Sequence, residues 1–381
     1  MRAEPATRPP ASPWPAWPDG FGAGEEERRA LLVLSALRGI TPRNMLALAL
    51  ERGSAANTLA AIARGQAGSE QDRAFARTLR AQDIEAAAEA CGSRFVPWSS
   101  TEYPAQLRQI HDPPSALYVI GRVPSDVTLA VAVVGARRCT ALGREAAHEI
   151  GRGLGLAGAT VVSGAARGID AATHEGALSV QGSTLAVLGS GLDVAYPFDG
   201  RSLVRRIARE GSLVSEYPPG VPPHAHHFPA RNRIVAGLCR ATVVVEGAER
   251  SGSMITAEHA MEFGRDVFAV AGAANSPLSH TPLQLIREGA TLIRGSDDLL
   301  EDLGLELDGR RIERQVALDP VERRVLAEVI EPSLPDRLAA ALGMSVSEVV
   351  GTLMRLELRG FVRNVGGRFE TTLKPHPATH A

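Results

Sequence analysis

Short apolar segments alternate with helical segments from Val131 to about Ile293, and this alternation constrains the fold more than any other feature of the chain. Seven segments predict buried strands, at 129–135, 160–163, 184–189, 211–217, 241–246, 266–271 and 291–294. Helical patterns lie between them, near 141–157, 168–181, 200–210, 253–264 and 281–289. Continuous apolar strands that alternate with helices are typical of a parallel sheet covered on both faces. The pattern therefore predicts an α/β fold built on a doubly wound, mostly parallel sheet.

Smaller segments flank this region. Residues 1–24 are rich in Pro and Gly and predict a disordered tail or one that is loosely docked. Residues 25–92 have the helical spacing of a small domain of the SAM or helix–hairpin–helix type. Its turn has Thr41 where a DNA-binding hairpin favours a second glycine, so we favour a structural role for it. The α/β domain extends over 93–305, and a linker follows over 306–318.

The C-terminal segment, 319–374, has a pattern of its own. Helical patterns at 320–331, 335–342 and 345–359 precede two short strands that flank Gly366-Gly367. Two adjacent glycines between short strands are a hairpin signal. Three helices followed by a hairpin predict a winged-helix domain.

The net charge, the cysteine spacing and the lengths of the apolar runs argue against several classes of protein. The net charge is −2, so no overall basic field indicates a nucleic-acid partner. The three cysteines are far apart and lack metal-binding spacing, which predicts no disulfide framework and no structural metal. His224, His226 and His227 cluster, but no fourth ligand is evident, and we expect neither a metal nor a cofactor. No apolar run approaches the ~20 residues of a membrane span, and we expect a cytoplasmic protein without membrane contact.

Loops rich in glycine, serine and arginine follow five of the predicted strands, at 135–138, 163–168, 189–191, 217–233 and 247–253. In an open parallel sheet, ligands bind outside the carboxyl ends of the strands. Glycines let backbone amides approach a ligand, and helix N-termini favour anions. The loops therefore predict a binding site for a phosphate-rich polymer at this edge, with Arg167 among its cations.

The segment 228–238 is the strongest local signal for such a site. It places Arg231 and Arg233 around Asn232, after an aromatic residue and a proline. Guanidinium groups suit phosphate oxygens, and an aromatic ring offers a face for a base. On extended backbone, residues two apart point the same way, so both arginines are expected to contact successive phosphates. Arg137, at the end of the first core strand, is expected to reach the same crevice.

Carboxylates near these arginines leave alternatives open. In the first alternative, one or both arginines of 228–238 pair with Glu216 or Glu246 and hold the loop instead of contacting phosphate. Asp170, in the first turn of a predicted helix, either caps that turn or orients Arg167.

Several strings, taken together, resemble the DNA-processing protein A (DprA/Smf) family. They are VVGARR, SGAARGIDAATHEGAL, TLAVLGSGLDVAYP, SEYPPG, FPARNRIVAGL, VVEGAERSGSMITAEHAMEFGRDVFAVAG and LIREGA, in that order along the chain. The resemblance covers roughly residues 100–295. A helical domain before this region and a winged helix after it are similar to the layout of fuller-length members.

The resemblance implies an extended Rossmann domain that binds single-stranded DNA, usually as a homodimer. Members of the family protect incoming DNA during natural transformation and load the RecA recombinase onto it. Positions that match the family's motifs are implied DNA-binding residues: Arg137, Ser163, Gly164, Gly168, Phe228, Arg231, Asn232, Arg233, Ser251, Gly252 and Ser253. The chain departs from the family pattern at Ala136, where Ser is usual, and at Thr281-Pro282-Leu283, where a Gly…Asn pattern is common.

Two other functions compete with this one. A phosphoribohydrolase on a similar scaffold shows P-G-G-x-G-T-x-x-E after the corresponding strand. Residues 247–253 read GAERSGS instead, so we predict no catalysis. A transcriptional regulator would read DNA through the winged helix. The presumed recognition helix carries Arg355 against Glu348 and Glu357, whereas a groove reader needs a basic stripe. We expect that helix to pack in a core or to bind a protein partner.

Overall fold

The computed structural model describes residues 14–122, 129–194, 196–307, 319–358 and 361–371. The chain divides into two compact units, Met1–Asp308 and Gly309–Ala381. Most of the predicted linker, 308–318, lies outside the described residues, as do 1–13 of the predicted tail and 372–374 of the predicted winged helix.

A nine-stranded sheet forms the centre of the first unit. Its strands are β1 (Arg94–Pro97), β2 (Ala116–Ile120), β3 (Ala130–Val134), β4 (Thr160–Ser163), β5 (Thr184–Leu188), β6 (Ser212–Ser215), β7 (Ala241–Val244), β8 (Asp266–Val270) and β9 (Thr291–Ile293). They lie in the order β1-β2-β6-β5-β4-β3-β7-β8-β9. All pairs from β6 to β9 are parallel, whereas β1 and β2 add an antiparallel edge. The predicted doubly wound, mostly parallel sheet is confirmed.

Helices cover both faces of this sheet. They are α6 (Ala141–Leu156), α7 (Ile169–Ser179), α8 (Arg201–Glu210), α9 (His227–Gly237), α10 (Gly252–Glu262), α11 (His280–Arg287) and α12 (Ser296–Asp302). Val131 and Val133 pack on one side with Ile150 of α6, because side chains alternate along a strand. Ala132 packs on the other side, in the cluster that holds Val235 of α9. Burial on both sides explains why these strands lack polar alternation.

Five short helices precede the sheet, α1 (Gly24–Ser35), α2 (Pro42–Arg52), α3 (Ala55–Ala63), α4 (Glu70–Thr78) and α5 (Ala81–Ala90). Thr41 caps α2, and Pro42 occupies its first turn. The predicted tail is docked over the part that the structure describes. Trp17 is buried, stacks on Phe21 at 4.8 Å and donates its indole N–H to the carbonyl of Pro113 at 3.0 Å. Burial of two large aromatic side chains explains why these residues are ordered despite their Pro-rich composition.

The second unit is a winged helix, as predicted. It contains α13 (Pro320–Glu328), α14 (Pro335–Leu342), α15 (Val346–Leu358) and the hairpin of β10 (Val362–Val365) and β11 (Arg368–Thr371). Val349 and Leu353 of α15 are buried in its core, with Phe369 of the wing. Among the described residues no single helix is long and apolar enough to cross a membrane. The combined length and composition of α14 and α15 would be sufficient, but the chain bends by 113° between these two helices.

Candidate functional site

A cleft of about 590 Å³ opens at the carboxyl ends of the central strands. The loops after β3, β4 and β7 form its walls, together with the N-terminal parts of α9 and α10. Eight of the predicted site residues line it: Arg137, Gly164, Phe228, Arg231, Asn232, Ser251, Gly252 and Ser253. The strands carry these residues to one edge because parallel neighbours end at the same side of the sheet.

Arg231 lies at the floor of this cleft, with 5% of its surface exposed. Its Nη1 donates to the carbonyl of Val187, and its Nε has no hydrogen-bond partner among the described residues. Burial lowers the pKa of Arg231, and Asp170 opposes part of that shift while Arg137 adds to it. A buried guanidinium with an unused donor is an expensive arrangement, which an anion in the cleft would relieve.

Asp170 holds the 163–168 loop in place behind Arg231. Its Oδ2 accepts from the amides of Gly164 at 3.1 Å and Ala166 at 3.4 Å. Burial raises the pKa of Asp170, and the charge of Arg231 and the two amides oppose the rise. Of the two roles expected for Asp170, the contacts fit neither a cap nor a partner of Arg167: it fixes the loop. Arg167 is exposed and pairs with Asp199 at 2.7 Å.

Arg137 and Phe228 form the cation–aromatic wall of the cleft. The guanidinium carbon of Arg137 lies 5.1 Å from the centre of the Phe228 ring, and Arg137 is exposed. The ring of Tyr196 lies 5.4 Å from that of Phe228. Both rings line the cleft, so an aromatic face and an exposed cation stand next to each other.

The opposite wall is built around the start of α10. Ser251 is the N-cap of this helix, and its side chain accepts from the amide of Ser253 at 3.3 Å. The side-chain Nδ2 of Asn232 donates to the carbonyl of Gly252 at 3.1 Å, which ties α9 to α10. The start of a helix carries a partial positive charge, so this wall also favours an anion.

An adjoining pocket of about 430 Å³ shares Arg137, Phe228 and Arg231 with the cleft. Arg138 and Arg167 line it further out, together with the 188–190 loop and Tyr196. Sequence reasoning did not single out Arg138 or Tyr196. An arginine next to Arg137, and an aromatic residue in the loop after β5, are the signals that it passed over.

The expected extended backbone at Arg231 and Arg233 is wrong. Both residues lie in α9, which begins at His227. A helix turns by about 100° per residue, so side chains two positions apart are separated by about 200° around its axis. Arg233 therefore turns away from the cleft. It is 2% exposed, and its Nη2 bonds Glu216 at 2.7 Å while its Nε lies 3.3 Å from Asp112.

The surroundings of Arg233 give it a structural role. Burial alone would lower its pKa, but Glu216 and Asp112 outweigh burial and raise the pKa above its ordinary value. The alternative of pairing with Glu216 thus holds for Arg233. Glu246 makes no such pair: it accepts from the amide and hydroxyl of Thr140, at 2.9 and 2.6 Å.

Ser163 and Gly168 also stay outside the lining of the cleft. Ser163 is buried, and its hydroxyl donates to the carbonyl of Val133 at 2.7 Å. Gly168 has a φ of +79°, and a Cβ there would lie 2.2 Å from the carbonyl oxygen of Ala136. Both residues hold the ends of the 163–168 loop rather than offer groups to a ligand.

The three clustered histidines lie against one another beside the cleft: His224 and His226 stack, and His227 meets both edge-on. His224 and His226 have ring centres 5.6 Å apart, and His227 stacks on Tyr217 at 3.9 Å. Burial lowers the pKa of His227 to about 4, although its bond to the carbonyl of Gly189 opposes that shift. His227 is thus neutral near pH 7 and packs as an aromatic ring.

Several known proteins are similar to this chain. Protein Smf of Synechocystis sp. is 36% identical over 313 residues, which are 72% of this chain and 79% of that protein. The X-ray structure of DNA processing protein A from Streptococcus pneumoniae has a TM-score of 0.61 at 35% identity, covering 74% of this chain and 98% of that one. A structure of DNA processing protein A from Helicobacter pylori, solved to describe its single-stranded DNA binding mode, has a TM-score of 0.51 at 28% identity, covering 56% and 97%.

The fold and the site together define a Rossmann-like α/β protein that has a winged helix and a cleft with a buried arginine at its floor. The family model for DNA recombination-mediator protein A matches residues 94–304, and the model for the DprA winged helix domain matches 313–368. The chain belongs to the DNA-processing protein A (DprA/Smf) family.

Proposed function

We propose that this protein binds single-stranded DNA in the cleft, without catalysis, and delivers it to the RecA recombinase. The observation that carries the proposal is the buried, incompletely bonded guanidinium of Arg231 at the cleft floor. A phosphate in the cleft would pair with this guanidinium, which lines it. Arg137, exposed at the rim, would meet a second phosphate.

The aromatic wall favours a single strand over a duplex. Phe228 and Tyr196 line the cleft with their rings near each other, and a base must be unstacked and unpaired to lie on them. Such stacking accepts every base, so little sequence preference is expected. The Helicobacter pylori relative, whose structure concerns single-strand binding, supports the same choice of ligand.

The chemistry of the cleft supports binding rather than catalysis. Asp170 is the one carboxylate among the described residues that line it, and two backbone amides occupy its Oδ2. Burial raises the pKa of Asp170 next to the cationic Arg231. A carboxylate held in this way positions the loop and is not placed to activate water.

The remaining parts of the proposal follow from membership of the family. We propose that the protein acts in the cytoplasm as a homodimer, protects incoming DNA during natural transformation and loads RecA onto it. Its winged helix is proposed to contact a protein partner rather than DNA. Val349 and Leu353 of α15 are buried in the core of that domain, and Glu348 and Glu357 on the same helix would repel phosphates.

Binding of labelled oligo-dT and of blunt duplex at two salt concentrations tests the ligand. We expect tight binding of the single strand, weak binding of the duplex and a steep dependence on salt. Equal affinity for the two forms would contradict the proposal. RecA filament formation on DNA coated with a single-strand binding protein tests the loading step separately. If this protein does not accelerate filament formation, RecA loading is contradicted, whereas the proposed DNA site is unaffected.

A further inference from the structure

We infer that His111, His259 and Glu262 form a binding site for a divalent transition-metal ion of the zinc type, away from the cleft. Among the described residues, these three bring one possible ligand atom each within 4.8 Å of one another. His259 and Glu262 lie three residues apart in the last turns of α10, and His111 comes from the loop after a short 3-10 helix, Ala105–Gln109. Two imidazoles and a carboxylate are a donor set that zinc takes in sites with three protein ligands.

Two of the three distances between the ligand atoms match those around a bound ion. Nε2 of His111 is 3.2 Å from Oε2 of Glu262, and Nδ1 of His259 is 3.3 Å from the same oxygen. Two ligands of a tetrahedral zinc, each bonded at about 2.0–2.1 Å, are about 3.3–3.4 Å apart. Glu262 is therefore already placed to share an ion with either histidine, and the two histidines lie within 4.8 Å of each other.

A carboxylate behind His111 is a second, independent sign of a metal site. Oδ1 of Asp112 lies 2.7 Å from Nδ1 of His111, is buried and makes no hydrogen bond among the described residues, so it is within reach of a proton on that nitrogen. Histidine ligands usually give their second ring N–H to a carboxylate or carbonyl, which fixes the tautomer. With the proton on Nδ1, the nitrogen that faces Glu262 keeps its lone pair for a metal.

The position of the site suggests what an ion would do there. Ser251, at the other end of α10, belongs to the cleft, and α10 is about 16 Å long. Asp112 also contacts Arg233 of α9 at 3.3 Å. A bound ion would join α10 to the His111 loop, which already contacts α9 through Asp112. It would stabilise the folded protein by mass action.

The site was invisible in the sequence. His111 and Glu262 are 151 positions apart, so no ligand spacing exists to be read. The expectation of no metal came from the spacing of the cysteines and from the histidines at 224–227, which belong to a different part of the fold.

Titration of the metal-stripped, full-length protein with Zn²⁺ and Co²⁺ tests the inference. We expect one ion per chain, a rise in melting temperature with Zn²⁺, and the visible absorption of tetrahedral or five-coordinate Co²⁺. His111→Ala and His259→Ala should each weaken binding at least tenfold and abolish the absorption. Circular dichroism of the metal-free variants shows whether they are folded.

The double variant His224→Ala/His226→Ala is the matched control, because it removes two partly exposed histidines from the other cluster. It should bind zinc as the wild type does. Loss of the ion in this variant, or an unchanged affinity in folded His111→Ala and His259→Ala, would overturn the inference. So would the absence of any saturable binding to the wild type.

Discussion

The guanidinium of Arg231 occupies the space that a side chain at position 164 would fill. A Cβ on Gly164 would lie 2.2 Å from Nη1 of Arg231 and 2.3 Å from Nη2. Glycine is needed here for close approach, not for an unusual backbone conformation. The 163–168 loop and α9 therefore fit together at the cleft floor only without a side chain on that loop residue.

Gly164→Ala should weaken single-strand binding by at least tenfold while the protein stays folded. The added methyl group collides with a buried guanidinium that has little room to move, so Arg231 must shift away from the anion. Binding of oligo-dT measured by fluorescence anisotropy checks this. Gly295→Ala is the control, because a Cβ there meets nothing within 4 Å. Equal affinity in both variants would show that Arg231 does not need its present position.

Much of the fold was predictable because apolar patterns report burial directly. Each core strand from β3 to β9 lies where a continuous apolar run predicts it, and the helices of the winged helix follow their 3.6-residue period. The antiparallel edge of β1 and β2 was less evident. A strand pairing between segments far apart in sequence leaves no local signal, and β1 has four residues.

The site was predictable as a set of loops but not in its geometry. The glycine-rich loops do meet at one edge, since parallel topology requires it. The roles of Arg231 and Arg233 depended on whether 228–238 is extended or helical, and the proline at 229 favoured neither over the other, because proline suits a first helical turn as well as a loop. Which arginine faces the cleft is set by that single difference.

Arg233→Ala should destabilise the protein strongly. It leaves the carboxylates of Glu216 and Asp112 without their shared cation in a buried site, and breaking a buried pair from one side costs about 3–5 kcal/mol. Urea unfolding measures this loss. Arg294→Ala breaks an exposed pair with Asp298 and should leave the free energy of unfolding nearly unchanged. Near-wild-type stability of Arg233→Ala would contradict the structural role and return Arg233 to the list of DNA contacts.

Stability should fall as the pH is lowered, in part through His174. Burial lowers the pKa of this imidazole from 6.5 to about 3 in the folded protein. Between those values the unfolded chain binds a proton that the folded protein does not, so stability is full above about pH 6.5 and is lost as the pH falls towards 3. The slope from one such group approaches about 1.4 kcal/mol per pH unit.

His174→Asn keeps a polar group near the hydroxyl of Thr184, which lies 2.7 Å from Nδ1, and removes the titration. The free energy of unfolding of the variant, measured between about pH 7 and about pH 5, should depend less steeply on pH than that of the wild type. His148→Asn, in a more exposed position, is the control. Identical slopes for wild type and His174→Asn would show that burial does not lower the pKa of His174 in the folded protein.

Truncation after residue 307 should leave single-strand affinity within a few-fold of the full-length value. The cleft lies entirely in the first unit, and Arg355 of α15 is paired with Glu322 at 3.4 Å rather than free for DNA. Anisotropy with the same oligo-dT compares the two chains. A hundredfold loss in a truncated protein with unchanged circular dichroism of its first unit would make the winged helix part of the DNA site.

Arg137 offers the clearest test of the cleft itself, because it is exposed. A charge-assisted contact with a phosphate is worth about 1.5–3 kcal/mol, so Arg137→Ala should weaken binding roughly ten- to a hundredfold. One phosphate contact fewer should also lower the log–log salt slope by about 0.7. Arg209→Ala is the control. Arg209 lies at the end of α8, which leads into the amino end of β6, and its side chain is 71% exposed, so its removal should change neither quantity. If Arg137→Ala keeps both the affinity and the salt slope of the wild type, the strand-end cleft is not where DNA binds.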